Sequence, residues 1–423
     1  MTSKMNRRNF LKDSGLLSAG IALSPFLNSV TMNSLLENKI SNSTLQKTGI
    51  KVIELNGSPL NRGQIHGEEL RSQAIELIDM WKDSLEHLHQ MNPDKYIDHF
   101  LEKTLFHEAV KKWAPELLEE VQGMANGTGI DFKTMFGFQV FEEERWHSRL
   151  KRFGKSQSSS AQCSTLGVIK QKDHPSIMGQ NLDFSFKDGS EVVLHIKHQN
   201  SPLEEFAFSF AGFLGTTGMN NVPLGLCANS LLQLNPQTDG LPVSFLIRGV
   251  LGQSKYENAV QFIQKIKHAT GQNYIIGTVD RIADFECSSN KVSRFIPPKE
   301  ENRIYHTNHP LINDDLDKGL FTKSEVYAQL MVNSRIRLET LKTQLEDKSK
   351  EISVDDVKSI LSSHDNPRNP ICIHQSKKQG EFGFGNTHFT SGSLVMELSK
   401  KPKLHLAPGP PCHTDYEVFQ FEK

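Results

Sequence analysis

With 423 residues, 23% of them charged and a formal net charge of −1, the chain is long enough to bury one large core or two ordinary ones. The near-neutral balance supplies no overall field for nucleic acid or an anionic membrane, so no nucleic-acid partner is expected. No segment reaches the roughly 18 consecutive apolar residues of a membrane span, so stable membrane insertion is not expected. Five scattered cysteines without a CxxC pair argue against a zinc site and against a full disulfide framework.

The first thirty residues predict an export signal rather than part of the fold. Arg7 and Arg8 precede Phe10-Leu11-Lys12, and a short, mildly apolar stretch follows at 15–23. This order is typical of a twin-arginine signal over residues 1–30, with 31–48 as a linker and a periplasmic or extracytoplasmic location. The alternative is a basic amphipathic helix at the start of a cytosolic protein. No clean Ala-x-Ala marks a signal cleavage site.

The part of the chain before Cys163 is predicted to be mostly helical. Alternating apolar residues at 50–55 predict a first strand. The stretch from Arg62 to Gly67 is predicted to be a break between this strand and the helices. Helical spacing of apolar residues then predicts helices over 68–88, 96–113 and 115–125. Pro115 near the start of the third helix and Gly127 and Gly129 past its end are the expected asymmetry.

After Cys163 the pattern changes to short strands separated by turn residues. Strands are predicted at 166–169, 177–179, 192–197, 206–213, 274–279, 282–286, 292–296, 303–307, 371–374, 393–398 and 403–407. Helices are predicted at 243–251, 256–267, 323–345 and 354–362, the last capped by Ser353. This order indicates an α+β fold with two stacked antiparallel sheets flanked by helices, formed as a single domain over 49–423.

The central stretch is 158–168, where a polar, turn-forming run ends at Cys163 and an apolar, strand-like run begins. If the peptide bond before Cys163 were cut, the thiol would stand beside a free α-amine, whose ordinary pKa of about 7.7–8.0 suits a base for its own side chain. The alternative is a buried structural thiol at the start of a strand.

Several other motifs lack their signatures. There is no G-x-S-x-G elbow and no H-E-x-x-H pair. Phe153-Gly154-Lys155-Ser156 resembles the end of a phosphate loop, but Arg149 stands where its first glycine is required. His306 and His309 lack a third ligand and are predicted to be ordinary hydrogen-bonding residues, so neither a metal nor a cofactor is expected.

Four polar residues are candidates to act with Cys163. Asp183 follows a strand expected to pair with the Cys163 strand and could hold the α-amine, although acids are also common in hairpin turns. Asn229 would be a neutral donor on a strand, as an oxyanion hole requires, or simply a polar residue near a strand end. Asn308 ends another strand, and Arg335 lies in the long helix, where arginine is usually solvated.

Eight short stretches resemble, in order, a family of N-terminal nucleophile (Ntn) hydrolases with a cysteine nucleophile. The match is to the acyl-coenzyme A:6-aminopenicillanic acid acyltransferase (isopenicillin N acyltransferase)-like family, peptidase family C45, with choloylglycine hydrolase and penicillin V acylase as more distant kin. The stretches lie at 63–67, 119–131, 163–165, 179–183, 218–226, 307–310, 334–337 and 409–412.

The resemblance implies a four-layer αββα sandwich and a precursor that cuts itself between Gln162 and Cys163. Residues 49–162 would form a mostly helical pro-part and 163–423 the catalytic chain, without a cofactor. Cys163 would be nucleophile and, through its amine, base, while Asp183 would hold that amine. Asn229 and Asn308 match oxyanion-stabilising positions of the bile-salt hydrolase branch, and Arg335 matches an arginine associated with the active site there.

Two departures stand out: many relatives have glycine where this chain has Gln162, and a tryptophan where it has Leu182. The expected function is hydrolysis of linear acyl-amide bonds by an exported, self-processing cysteine amidase. The alternatives are an N-acyltransferase and an uncut, inactive binding protein of the same fold. The loops at 184–189 and 213–222 hint at an apolar acyl group. The amine and the oligomeric state stay open.

Overall fold

Eleven helices and fourteen strands occur in the part of the chain that the computed structural model describes, namely residues 49–154, 162–184, 189–297, 301–319, 325–347, 349–374 and 389–422. The predicted export signal and linker lie outside these residues, as does the segment 155–161 that leads to the predicted cleavage point. Gly49–Lys423 forms one unit by its internal contacts.

Helices dominate before Cys163, as predicted. The elements are β1 (Lys51–Leu55), α1 (Pro59–Glu69), α2 (Arg71–His89), α3 (Pro93–Glu102), α4 (Phe106–Trp113), α5 (Pro115–Thr128), α6 (Phe132–Gln139) and α7 (Phe141–Gly154). Helix α5 begins at Pro115, and Gly129 ends it in the left-handed conformation with φ of 80°, since glycine lacks the Cβ that disfavours this region. The predicted helix over 96–113 is two helices, and α6 and α7 were not predicted.

The stretch from Arg62 to Gly67 is helical, so the predicted break between the first strand and the helices is wrong. Its glycines serve a close crossing of α1 and α5: a Cβ on Gly63 would lie 1.8 Å from the Glu120 carbonyl oxygen, and one on Gly67 would lie 2.5 Å from that of Met124. Gly123 and Gly127 are just as close to α1 from the other side. Glycine at these positions lets the two helix backbones touch.

Strands dominate after Gln162. The elements are β2 (Gln162–Val168), β3 (Ser176–Phe184), β4 (Glu191–Lys197), β5 (Glu204–Phe210), β6 (Thr217–Asn220), β7 (Gly225–Ser230), α8 (Val243–Leu251), α9 (Tyr256–Lys265), β8 (Gln272–Gly277), β9 (Ile282–Cys287), β10 (Val292–Phe295), β11 (Arg303–His306), α10 (Glu325–Gln344), α11 (Val354–Leu361), β12 (Phe389–Leu398), β13 (Lys403–Ala407) and β14 (Glu417–Gln420). Ser353 caps α11 in a capping box, as predicted. The strand predicted at 371–374 is irregular backbone instead.

Two sheets contain these strands. The eight-stranded sheet has the order β1-β4-β5-β6-β7-β8-β9-β10, and the six-stranded sheet has the order β11-β2-β3-β12-β13-β14. The pairings are antiparallel except that of β1 with β4, which is parallel. The prediction of two antiparallel sheets therefore holds apart from this edge, where a strand from the N-terminal part joins strands from the C-terminal part.

The sheets pack face to face, and helices cover their outer faces. Strands β2 and β3 of one sheet contact β7 and β8 of the other, while α1 and α8 pack on the larger sheet and α10 and α11 on the smaller. Gly277 makes room for the facing sheet, because a Cβ there would meet the Met178 side chain at 2.4 Å. The predicted αββα sandwich is confirmed. In the described residues, the helices lack the length and apolar character needed to cross a membrane.

Candidate active site

Cys163 is the second residue of β2, in the middle of the smaller sheet. Strand β2 pairs with β3 as predicted, placing Cys163 opposite Leu182 and Gln162 opposite Asp183. Strand β3 continues through Asp183, so the prediction that this residue lies in a turn is wrong. The Cys163 side chain is 3% exposed. The predicted cleavage point therefore lies in a strand and beside the Asp183 carboxyl group.

Three side chains hold the main chain of Cys163 from both sides. Its amide N–H donates to Asn308 Oδ1 at 2.9 Å. Its carbonyl oxygen accepts from Asn229 Nδ2 at 3.1 Å and from Arg337 Nη1 at 2.8 Å. The structure thus brings Asn229 and Asn308 to Cys163, as predicted, and fixes the backbone of this residue more firmly than strand pairing alone.

Asn229 is oriented by two neighbours on different strands. Its Oδ1 accepts from Thr165 Oγ1 at 2.8 Å and from Asn273 Nδ2 at 3.2 Å. With its oxygen occupied in this way, the amide presents Nδ2 to the Cys163 carbonyl. Asn229 is 1% exposed, so these bonds form away from water and are costly to leave unmade.

Asn308 lies in the turn after β11, and Ser334 of α10 positions it. Asn308 N–H donates to Ser334 Oγ at 2.8 Å, and Thr307 Oγ1 donates to the Ser334 carbonyl at 2.9 Å. On its other side, Asn308 Nδ2 donates to the Ser230 carbonyl at 3.1 Å. The amide of Asn308 therefore links β2, β7 and the long helix at one point.

The buried arginine of the site is Arg337, not the predicted Arg335. Arg335 is exposed, whereas Arg337 is 0% exposed on the same face of α10 as Ser334. Besides the Cys163 carbonyl, Arg337 donates to Ser164 Oγ at 3.0 Å and to Asn308 Oδ1 at 2.9 Å. The arginine at the site therefore lies two residues after the one that the family resemblance implies. Helical spacing could have identified Arg337, because Leu341 and Leu345 continue its face at intervals of four.

Asp183 presents one unpartnered oxygen inside the site. Its Oδ1 accepts from Thr390 Oγ1 at 2.7 Å, while Oδ2 has no hydrogen-bond partner among the described residues. Burial raises the pKa of Asp183 to about 7, with Arg337 and Thr390 acting in the opposite direction. Thr390 was not predicted. A buried carboxyl group with a spare oxygen can accept a further N–H.

The Cys163 thiol is protonated at neutral pH in the uncut chain. Burial raises its pKa to about 12, the nearby Asp183 carboxylate adds to this, and Arg337 acts in the opposite direction. The thiolate is the nucleophilic form of cysteine. Reaction at neutral pH therefore requires a base that takes the thiol proton at the moment of attack.

The donors predicted for an oxyanion hole are engaged with backbone. Asn229 Nδ2 bonds the Cys163 carbonyl and Asn308 Nδ2 bonds the Ser230 carbonyl. Their oxyanion role stays a prediction. The observed role of both amides is to position residue 163.

A cavity opens beside Cys163 and is walled mainly by aromatic and aliphatic side chains. Its volume is about 40 Å³, and its lining includes Phe141, Leu182, Phe184 and Phe213 together with Cys163. Phe184 and Phe213 belong to the loops that the sequence singled out for an apolar acyl group. The polar part of the lining consists of Glu142, Thr216, Ser230, Ser244 and Gln272. The thiol thus faces an apolar compartment with one polar border.

His306 and His309 act as hydrogen-bonding side chains. His306 Nε2 pairs with Glu286 Oε1 at 2.8 Å, and His309 Nδ1 lies 2.7 Å from Ser334 Oγ. Glu286 also accepts from the backbone N–H groups of Leu311 and Ile312 at 2.6 and 2.9 Å. Both histidines therefore serve to shape the turn that carries Asn308.

A family sequence model described as acyl-coenzyme A:6-aminopenicillanic acid acyl-transferase matches residues 169–391. The chain belongs to this family. The match covers just over half of the chain and includes Asp183, Asn229, Asn308 and Arg337, and it begins six residues after Cys163. The resemblance to this acyltransferase family that the sequence motifs indicate is confirmed.

The known relatives either match only part of the chain or have few residues identical to it. Protein dcd1A of Dictyostelium discoideum is 28% identical over 232 residues, which are 48% of this chain and 49% of that protein, so the chain spans about half the length of the curated relative that it matches. A mutant of the conjugated bile acid hydrolase from Clostridium perfringens matches 61% of this chain and 97% of its own, with 12% identity and a TM-score of 0.35. Penicillin V acylase from Agrobacterium tumefaciens matches 61% and 86%, with 15% identity and a TM-score of 0.37.

Proposed function

We propose that the chain is an exported, self-cleaving cysteine amidase that hydrolyses linear acyl-amide bonds through an acyl-enzyme on Cys163. The observation that carries this proposal is the arrangement around residue 163. Its N–H donates to Asn308, and its carbonyl accepts from the buried side chains of Asn229 and Arg337. Asp183 Oδ2, which has no hydrogen-bond partner among the described residues, belongs to the neighbouring strand, where Asp183 lies opposite Gln162. A structural thiol needs none of these contacts.

Self-cleavage follows from the position of Cys163 in the chain. The Cys163 sulfur attacks the Gln162 carbonyl carbon, the C–N bond of that peptide breaks, and the thiol proton passes to the released nitrogen. Gln162 is then joined to the sulfur as a thioester. Water hydrolyses this thioester, which frees the Gln162 carboxyl group and restores the thiol. Asn308 Oδ1, which now accepts from the amide N–H of Cys163, is placed to accept from the new amine.

The new α-amine supplies the base for the amidase reaction of the cut chain. It accepts the thiol proton as the sulfur attacks a substrate amide carbonyl, and it returns the proton to the departing amine. Water then resolves the acyl-enzyme to a carboxylic acid. Asp183 Oδ2 and Asn308 Oδ1 hold the amine, while Asn229 and Arg337 hold the adjoining carbonyl, so the sulfur and its base keep a constant geometry.

The lining of the cavity supports an apolar acyl group of modest size. A volume of about 40 Å³ is room for roughly three water molecules. The aromatic wall favours a compact apolar acyl end, and a longer chain requires the side chains of Phe141 or Phe184 to move. Glu142 and Ser230 at the polar border are placed to face the amide or its amine.

Hydrolysis is favoured over acyl transfer by the twin-arginine pattern around Arg7 and Arg8, since acyl-coenzyme A is not expected outside the cytoplasm. Transfer to an amine acceptor is the second candidate, because the matching family is described by an acyl-transferase. Product analysis with water and a primary amine in competition separates the two. Carboxylic acid as the main product supports hydrolysis, and N-acyl product that grows in proportion to the amine supports transfer.

The deciding experiment measures the mass and N-terminal sequence of purified, denatured protein. We expect two fragments, one of which begins at Cys163, and amidase activity on small acyl amides. Cys163→Ala is expected to stay a single chain across this bond and to lose amidase activity. Full activity of Cys163→Ala, or an intact Gln162–Cys163 bond in an active wild type, contradicts the proposed chemistry.

Cys227→Ala is the matched control. Cys227 is also a buried thiol in a central strand, β7, of the facing sheet. Its removal is expected to leave both the cut and the activity in place. Loss of cleavage in both variants would indicate a packing effect rather than a role for the Cys163 sulfur.

A further inference from the structure

Four metal-ligating side chains from three separate segments meet on the surface of the smaller sheet. His364 follows α11, Cys372 and His374 lie on the irregular segment before β12, and Cys412 lies in the turn after β13. All four ligand atoms lie within 4.8 Å of one another. We propose that this four-residue cluster binds one zinc ion in a closed tetrahedral site.

Three of the six distances between the ligand atoms are close to the edges of a zinc tetrahedron, and the other three are at most 4.8 Å. The two sulfurs are 3.6 Å apart, the two histidine Nε2 atoms are 2.9 Å apart, and Cys412 Sγ lies 3.2 Å from His374 Nε2. Zn–S bonds of about 2.3 Å and Zn–N bonds of about 2.0–2.1 Å give edges of roughly 3.8, 3.4 and 3.6 Å for these three pairs. Each of these three pairs therefore needs to separate by about 0.5 Å or less to admit the ion.

The backbone holds these ligands in place without a metal. The Cys372 N–H donates to the Ser363 carbonyl at 3.2 Å, which ties the two ligand segments together. Asn181 Nδ2, from β3, donates to the Ile371 carbonyl at 3.0 Å. The turn that carries Cys412 is closed by the His413 and Thr414 N–H groups, which donate to the Pro410 carbonyl at 3.2 and 3.1 Å. A site organised in advance binds its ion without the cost of ordering the chain.

A disulfide explains only half of the cluster. Cys372 and Cys412 could join, but the two imidazoles would still point their Nε2 atoms at each other and at the sulfur. A tetrahedral ion accounts for all four groups at once, and two thiolates with two imidazoles are a ligand set that zinc prefers. His364, His374 and Cys412 are exposed, so an ion can enter from solvent.

The proposed site departs from the expectation, based on the scattered cysteines, that argues against a zinc site. The absence of a CxxC pair excludes only a site built within one short segment. In this protein the fold brings residues 364–374 close to the turn that carries Cys412, which lies 38 positions after His374. No local spacing rule reaches that far.

The cluster is joined to the candidate active site through Thr390. Ile373 lies between two of the ligands, its N–H donates to Thr390 Oγ1 at 2.9 Å, and its carbonyl accepts from the Thr390 N–H at 3.0 Å. Thr390 Oγ1 in turn donates to Asp183 Oδ1. With four protein ligands and no open position, the ion is structural and positions this connection. The inference of metal binding does not depend on the proposed amidase activity.

The test is a cobalt titration of the full-length chain, purified without a histidine tag, reduced and stripped with a chelator. We expect one Co²⁺ per chain, with a thiolate-to-cobalt charge-transfer band in the near ultraviolet, the intense visible bands of a tetrahedral site, and loss of both on addition of Zn²⁺. Cys412→Ser and His364→Ala are each expected to weaken Co²⁺ binding at least about tenfold. His99→Ala, an exposed histidine elsewhere, is expected to bind as the wild type does.

Two results would overturn the proposal. One is a wild-type chain that gives only the pale spectrum of octahedral cobalt, or a tetrahedral spectrum that Cys412→Ser retains. The other is a Cys372–Cys412 disulfide, found by mass spectrometry, in protein isolated without added oxidant or chelator. Circular dichroism of the two ligand variants shows that they are folded. The wild-type spectrum decides the matter if either variant is not.

Discussion

Two fully buried arginines, Arg248 and Arg337, carry the same charge but have different hydrogen-bond partners. Arg248 contacts Glu120 Oε1 at 2.7 Å and Glu205 Oε2 at 3.2 Å, and Glu120 also contacts Arg62 at 3.1 Å. Burial lowers the pKa of Arg248, but the two carboxylates outweigh it and raise the pKa overall. Burial also opposes ionisation of Glu120, but Arg248 and Arg62 lower its pKa to about 2. The charges of this network compensate one another.

Arg337 instead donates to neutral oxygens, which belong to Cys163, Ser164, Asn308 and Asn333. Burial lowers its pKa, and the more distant Asp183 and Cys163 only partly oppose this. Uncompensated burial of charge is costly, and it is common where the charge serves a function. The comparison therefore assigns Arg248 to stability and Arg337 to the site at Cys163.

The largest expected effect is on stability at Arg248. Arg248→Met leaves Glu120 and Glu205 buried with fewer partners, and we expect a loss of about 3–5 kcal/mol in the free energy of unfolding. Chemical denaturation followed by circular dichroism measures it. Arg281→Met is the control, because both side chains of the Arg281–Glu257 pair are more than half exposed and exposed ion pairs contribute little to stability. Equal losses of unfolding free energy in both variants would contradict the assignment of Arg248 to stability.

The next effect is on chemistry at Arg337. Arg337→Met removes one of two donors to the Cys163 carbonyl, and the resulting misplacement of residue 163 is expected to slow both self-cleavage and amide turnover by about 10²-fold. Its loss in unfolding free energy is expected to be smaller, about 1–3 kcal/mol, because Asn229 still bonds the same carbonyl. Rates come from denaturing electrophoresis over time and from product release.

Arg335→Met is a closely matched control for this change. It removes the same side chain two positions away in the same helix, but from an exposed site, and it is expected to leave cleavage and turnover unchanged. If cleavage and turnover are slow in Arg335→Met and normal in Arg337→Met, the arginine of the site is Arg335, as the family motif predicts.

The smallest effect concerns pH and Asp183. The folded pKa of about 7 lies above the ordinary 3.8, so the native chain holds a proton that the unfolded chain releases, and stability falls as pH rises between these values. Raising the pH from about 5 to about 6.5 is expected to cost about 2 kcal/mol at this group. In an uncut Cys163→Ala background, the further change Asp183→Asn should flatten that part of the unfolding free-energy profile. Parallel profiles for the two proteins would contradict a raised pKa.

Local sequence patterns predicted much of the fold, because helices such as α8 and strands such as β13 reveal themselves by periodicity. They failed where tertiary contacts decide the outcome. The glycines at 63 and 67 look like turn residues until the facing glycines of α5 are known, and Asp183 looks like a turn residue until β12 is seen to extend the ladder beside it.

The site was predictable in outline for a different reason. Cys163, Asp183, Asn229 and Asn308 could be identified because they stand in short motifs next to strand ends. Arg337 was missed because a motif was transferred without asking which face of its helix is buried. Thr390 follows 375–388, where no motif pointed to it, and its role depends on strand pairing that only the fold reveals.

The parallel edge strand β1 carries a consequence for a chain cut before Cys163. Five register pairs from Lys51–Val192 to Leu55–Ile196 tie β1 to β4, and Glu120 on α5 is bonded to Arg248 on α8. The two fragments would thus share one sheet and one buried charge network, and would migrate together as a non-covalent heterodimer under native conditions. Maturation would change the covalent structure without changing the hydrodynamic size, and separating the subunits would amount to unfolding the protein.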